Sequence, residues 1–150
     1  MKLRTVINNP LKPFSTMTRV YLAQLLRDLI TAHDYTFFSA PDEYMASEID
    51  RYPAAWLTPP RLKEVEGRRH GKQTYEIQLH LLQPGLRLTH GERAQKLDKM
   101  EQTLLEIFTE LTEDPKVICA EQLSIRPRTC AFTNHGEISQ SAAAEVVVWF

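Results

Sequence analysis

The chain has 150 residues, 43% of them hydrophobic and 25% charged, with a formal net charge of -1. This length and balance fit one globular domain with its own core and exclude a chain that is largely disordered. They also exclude a global field that would pull the molecule onto nucleic acid. No stretch approaches the ~20 apolar residues that a membrane helix needs.

Residues 1 to 14 carry Lys2, Arg4 and Lys12, no acid, and two prolines, Pro10 and Pro13. They predict a basic, partly extended arm rather than a helix or a signal peptide. Ser15 or Thr16 is a candidate N-cap. Behind it Leu22, Leu25, Leu26 and Leu29, with Ile30 beside them, fall at i, i+3, i+4 and i+7. That spacing predicts a helix from about Thr18 to Ala32 with one apolar stripe.

Tyr35 to Phe38 reads as a short strand, and Ser39 to Arg51 as a polar loop with room for one helical turn. Ala54-Ala55-Trp56-Leu57 reads as a second short strand, stopped on both sides by Pro53 and Pro59-Pro60. Arg61 to Gly67 and Lys72 to Leu82 are the expected arms of a hairpin whose connection holds Gly67 and Gly71. In the second arm Tyr75, Ile77, Leu79 and Leu81 alternate with Thr74, Glu76, Gln78 and His80. Such alternation predicts one face on a core and one face wet.

Pro84-Gly85 turns the chain, and Thr89-His90-Gly91-Glu92 matches the capping box that opens a helix. Leu97, Met100, Leu104, Ile107, Phe108 and Leu111 form its apolar face, and Asp114-Pro115 closes it. Val117 to Ile125 is β-rich, Arg126 to Gly136 reads as a loop, and Ile138 to Phe150 ends in an apolar strand. The order predicts an α+β fold: two layers, a mostly antiparallel sheet with two helices packed on one face, in a single domain over residues 1–150.

The search for chemistry yields little. The glycines are dispersed, so no phosphate-cradling loop exists, and neither G-x-S-x-G nor H-E-x-x-H is present. Cys119 and Cys130 form no C-x-x-C pair and have no histidine at zinc spacing, so reduced thiols are expected, with no metal and no cofactor. His80 shares a strand face with Glu76 and Gln78, an arrangement open in principle to acid–base work but better read as a wet or partner-covered face. No catalytic residue is assigned.

Charge distribution says more. From Arg61 to Lys72 five bases (Arg61, Lys63, Arg68, Arg69, Lys72) face two acids (Glu64, Glu66); from Thr89 to Asp114 three bases face seven acids. A basic hairpin and an acidic helix on one small domain can attract each other between neighbouring subunits, a contact that closes into a ring or runs into a filament. Arg68, Arg69 and Lys72 are the expected subunit or partner contact. Tyr75 is the one aromatic nearby, which argues against a nucleic-acid stacking platform.

From about residue 17 onward the pattern resembles the phage tail terminator and minor tail protein family, also called tail-completion proteins. The resemblance lies in a leading helix, the Pro-bracketed segment Tyr52-Pro53-Ala54-Ala55-Trp56-Leu57, and a hairpin whose second arm is Tyr75-Glu76-Ile77-Gln78-Leu79-His80. A long helix and a C-terminal strand pair follow. The loop from Ser39 to Arg51 is somewhat long for it. The resemblance implies a non-enzymatic subunit forming a ring, often a hexamer, at the end of the tail tube. Other tail or connector proteins would be its partners, and the host cytoplasm or the virion its location. The alternative is a small α+β module that binds a ligand or a protein partner.

Overall fold

The computed structural model describes residues 14–67, 71–128 and 131–149. The hairpin tip with Arg68 and Arg69, the expected arm up to residue 13, and Cys130 lie outside the described residues. Chain order is α1 (Phe14–Ala32), β1 (Thr36–Ser39), a 3-10 turn (Asp42–Tyr44), α2 (Met45–Glu48), β2 (Ala54–Gly67), β3 (Gly71–Pro84), α3 (His90–Leu111), β4 (Val117–Pro127) and β5 (Glu137–Trp149). These strands form one sheet in the order β1-β2-β3-β5-β4, parallel between β1 and β2 and antiparallel elsewhere. The expected α+β architecture is present.

The main core lies between the sheet and helices α1 and α3. Leu22, Leu26 and Ile30 are the centre line of α1, fully buried, with Leu25 and Leu29 half-buried beside them. Met100, Leu104, Ile107, Phe108 and Leu111 do the same for α3. They meet Tyr75, Ile77, Leu79 and Leu81 of β3 and Ala142, Ala144, Val146 and Val148 of β5. The period-2 and period-3.6 patterns thus converge on one apolar layer. The capping box is complete: Glu92 N–H donates to Thr89 Oγ1 at 3.1 Å, and Thr89 N–H donates to Glu92 Oε1 at 2.9 Å.

Three expectations need correction. Helix α1 begins at Phe14, so Ser15 and Thr16 lie inside its first turn instead of capping it, and Phe14 is helical where an extended residue was expected. Strand β2 does not stop at Pro59-Pro60; it continues to Gly67, with an irregularity in pairing between Thr58 and Arg61. The reason is position in the sheet. Strand β1 flanks β2 only from Ala54 to Leu57, so the prolines fall where the outer edge of β2 has no strand beside it among the described residues. On a free edge a missing N–H costs no ladder bond.

The third correction concerns the second face of the sheet, expected to be wet. One half of it is covered. Met45, Ile49, Ala54, Trp56 and Leu82 form a separate buried cluster, with Phe38, Ala40, Tyr52 and Phe132 against it. The segment between β1 and β2 and the loop between β4 and β5 supply this cover, which no hydrophobic period announces. Asp42 fixes the first of them: its Oδ1 accepts from Trp56 Nε1 at 3.1 Å and from Thr58 Oγ1 at 2.7 Å.

Candidate functional site

The second face can be read in rows, because cross-strand partners share a level. Trp56, His80, Ser141 and Arg126 make one row; Thr58, Gln78, Ala143 and Ser124 the next; Arg61, Glu76, Glu145 and Glu121 the third. Farther toward the hairpin, Glu66, Lys72 and Trp149 share the last.

His80 sits at the boundary between covered and open halves. It is 4% exposed, its ring centroid lies 4.8 Å from that of Phe132, and its Nδ1 shares a 2.7 Å hydrogen bond with Ser141 Oγ. Burial pushes its pKa down to about 4; Asp42 pulls the other way and Arg128 reinforces the drop. The imidazole is therefore neutral at neutral pH. Its Nε2 is buried with no hydrogen-bond partner. A serine–histidine pair that transfers acyl groups needs a base poised near its working pH and a third group orienting the far nitrogen. Here the base is too weak and the far nitrogen is unpartnered. Glu76 does not join His80: it accepts from Arg61, one row past exposed Gln78. The sequence-level acid–base trio is thus dispersed.

In the third row Glu76, Glu145 and Glu121 stand side by side, an arrangement that costs energy unless neutralised. Arg61 pairs with Glu76 and Lys63 with Glu145. No group of three or more histidine, cysteine or acidic side chains suited to a metal exists among the described residues. Cys119 is a free, half-buried thiol whose pKa burial raises, which makes it less reactive.

The expected contact region is brought together only in part. Two of its five bases, Arg61 and Lys63, are spent on the sheet's own acids. Lys72 remains exposed, its Nζ 5.9 Å from the ring centroid of Trp149. Trp149 is 47% exposed and Val65 49%. The backbone N–H of Trp149 donates to Lys116 O at 2.9 Å, and Lys116 in turn lies over Tyr21, whose hydroxyl donates to Asp114. Sequence reasoning placed Trp149 in an apolar strand without noting its side. The signal was available: Ala142, Ala144, Val146 and Val148 alternate inward, so Trp149 must point to the other face.

No family model matches this chain, and no curated protein matches it. Among the described residues no helix is long and apolar enough to cross a membrane.

Proposed function

We propose that the chain is a non-enzymatic structural subunit of a phage or prophage tail, forming a ring at the end of the tail tube. One observation supports this reading most. Every residue of β2 from Lys63 to Gly67 is exposed, on both faces of the strand, although past an irregularity at Lys63 the strand pairs in register with β3 from Glu64 to Gly67. A domain folding for itself gains little from ordering such an arm. An arm that reaches a neighbour gains contact area, and half-exposed Trp149 beside it is the kind of side chain that anchors protein interfaces. The acidic outer side of α3, with Glu101, Glu106 and Glu110 exposed, and exposed Glu113 just past its end, is the complementary surface. A basic arm on an acidic helix is a heterologous contact and repeats from subunit to subunit.

The test replaces Arg68, Arg69 and Lys72 together by Glu. Light scattering at low and high salt, with purified tail-tube protein present and absent, reads assembly. The native chain is expected to associate, more weakly as salt rises. The triple variant should keep its thermal unfolding profile and stay monomeric. A triple variant that assembles like the native chain would refute the reading.

A further inference from the structure

At the far end of β3 and β5 from the hairpin, the turn into α3 and the loop between β4 and β5 face each other across a cleft of about 400 Å³. Arg87 and Arg93 line it from one side and Arg128 from the other. Among the described residues none of these three guanidinium groups belongs to an ion pair. Arg128 lies 4.4 Å over the ring of Phe132, a stacking that orients a guanidinium while leaving its N–H edge free.

One carboxylate, Glu137, also lines the cleft. Its oxygens are already occupied: they accept from Thr133 Oγ1 and from the backbone N–H groups of Phe132 and Thr133. Burial raises its pKa, but these hydrogen bonds outweigh burial and hold it below the ordinary 4.5. It stays ionised and is committed to shaping the loop. Three guanidinium groups against one carboxylate leave a surplus of two positive charges.

The walls are fixed against each other. Gly136 has a φ of +73, and a Cβ there would lie 2.4 Å from Leu86 Cδ2; a Cβ on Gly85 would lie 2.8 Å from the carbonyl oxygen of Gly136. Arg87 is thus carried on a turn locked by close contact and Arg93 on the regular first turn of α3, which lowers the ordering cost of binding.

We propose that this cleft binds a phosphate group carried by a dianionic or more highly charged ligand. The planar fork of a guanidinium matches two phosphate oxygens at once. A single carboxylate would leave one charge of the surplus uncompensated, whereas a phosphate dianion cancels it and a diphosphate more than cancels it. The volume lies at the low end of small-molecule sites, about 300–1,000 Å³, and suits a headgroup of that size. The inference does not rest on the assembly reading, because the cleft and the hairpin lie at opposite ends of the same strands.

Titration calorimetry of the full chain with pyrophosphate tests it. The native chain should show one saturable site. The variant R93Q/R128Q should bind roughly a hundredfold more weakly, since each of the two lost charge-assisted contacts is worth about tenfold. Its thermal unfolding profile should be unchanged; if that pair fails to fold, R87Q alone serves, with about tenfold weakening expected. Citrate, a carboxylate polyanion, should bind more weakly than pyrophosphate. A single-stranded oligonucleotide distinguishes the sources of phosphate: tighter binding than pyrophosphate, lost in the same variant, assigns the phosphate to a nucleic-acid backbone, and weaker binding assigns it to a free phosphate compound. The proposal is overturned if neither phosphate ligand binds at millimolar concentration, if the variant binds like the native chain, or if citrate binds as tightly as pyrophosphate.

Discussion

On the helix-covered face of the sheet, burial is continuous: from Tyr35 and Ala55 through Tyr75 to Leu81 and on to Val148, inward side chains meet α1 and α3 along the whole width. On the opposite face burial is interrupted: it fails at the row of Gln78 and returns only at Thr74 and Val147. Trp56 and His80 are as dry as anything in the main core, yet Gln78, two residues from His80 on the same side of β3, is open to solvent. The difference is one of means. The first face is covered by two long amphipathic helices, the second by single side chains, Met45, Ile49 and Phe132, delivered from short irregular segments. A long regular element seals a face end to end; a loop seals only the patch it crosses.

The largest effects should come from the centres of the two clusters. Leu79→Ala on the helix side should cost about 2–5 kcal/mol, and Trp56→Ala on the other about 3–5 kcal/mol, because each leaves a void in a packed interior. Trp56→Ala also strands Asp42, whose Oδ1 loses one of its two donors. Urea unfolding of both variants checks this. If Trp56→Ala cost under about 1 kcal/mol, the small cluster would be loosely packed, and the second face would deserve the description "wet" after all.

Those two clusters were not equally legible in the sequence. The stripes of α1 and α3 and the alternation of β3 could be counted directly, and they name the main core almost residue by residue. Met45, Ile49 and Phe132 lie in stretches without a period, so nothing local says that they fold back over Trp56. The run of β2 past Pro59-Pro60 was hidden for a similar reason: whether a proline ends a strand depends on whether its edge is paired, and pairing is not local. The candidate surfaces fared likewise. Lys72 was named from charge density, but Trp149 beside it and the three arginines of the cleft come from segments far apart in the chain. No window of sequence holds Arg87, Arg93 and Arg128 together.

His80 gives a smaller effect, set by pH. In the fold its imidazole titrates near 4, against an ordinary 6.5 when unfolded. Between those values the unfolded chain takes up a proton that the folded chain refuses. Stability is therefore complete above about 6.5 and declines as pH falls toward 4, by about 3 kcal/mol in total. Glu137, held below 4.5, weakens the fold only at the acid end of that range, so the slope from 6.5 to 4.5 isolates the histidine. Unfolding free energies across this range should slope for the native chain and be nearly flat for His80→Gln. An equal slope in both would mean that the ring is hydrated, and that the covered half of the face ends before it.

The smallest effect is expected one row away. Gln78 and Ala143 are cross-strand partners on the open half of the same face, both exposed. Gln78→Thr keeps a residue suited to a strand and removes no buried contact, so stability at neutral pH should change by no more than about 0.5 kcal/mol. His80 and Gln78 share strand, face and side-chain direction, and differ only in what lies above them. A loss above roughly 1 kcal/mol for Gln78→Thr would mean that something packs on the open half in solution. Repeating the measurement over a range of protein concentrations would then identify the source: stability that falls on dilution places a second copy of the chain over Gln78, because only association depends on concentration.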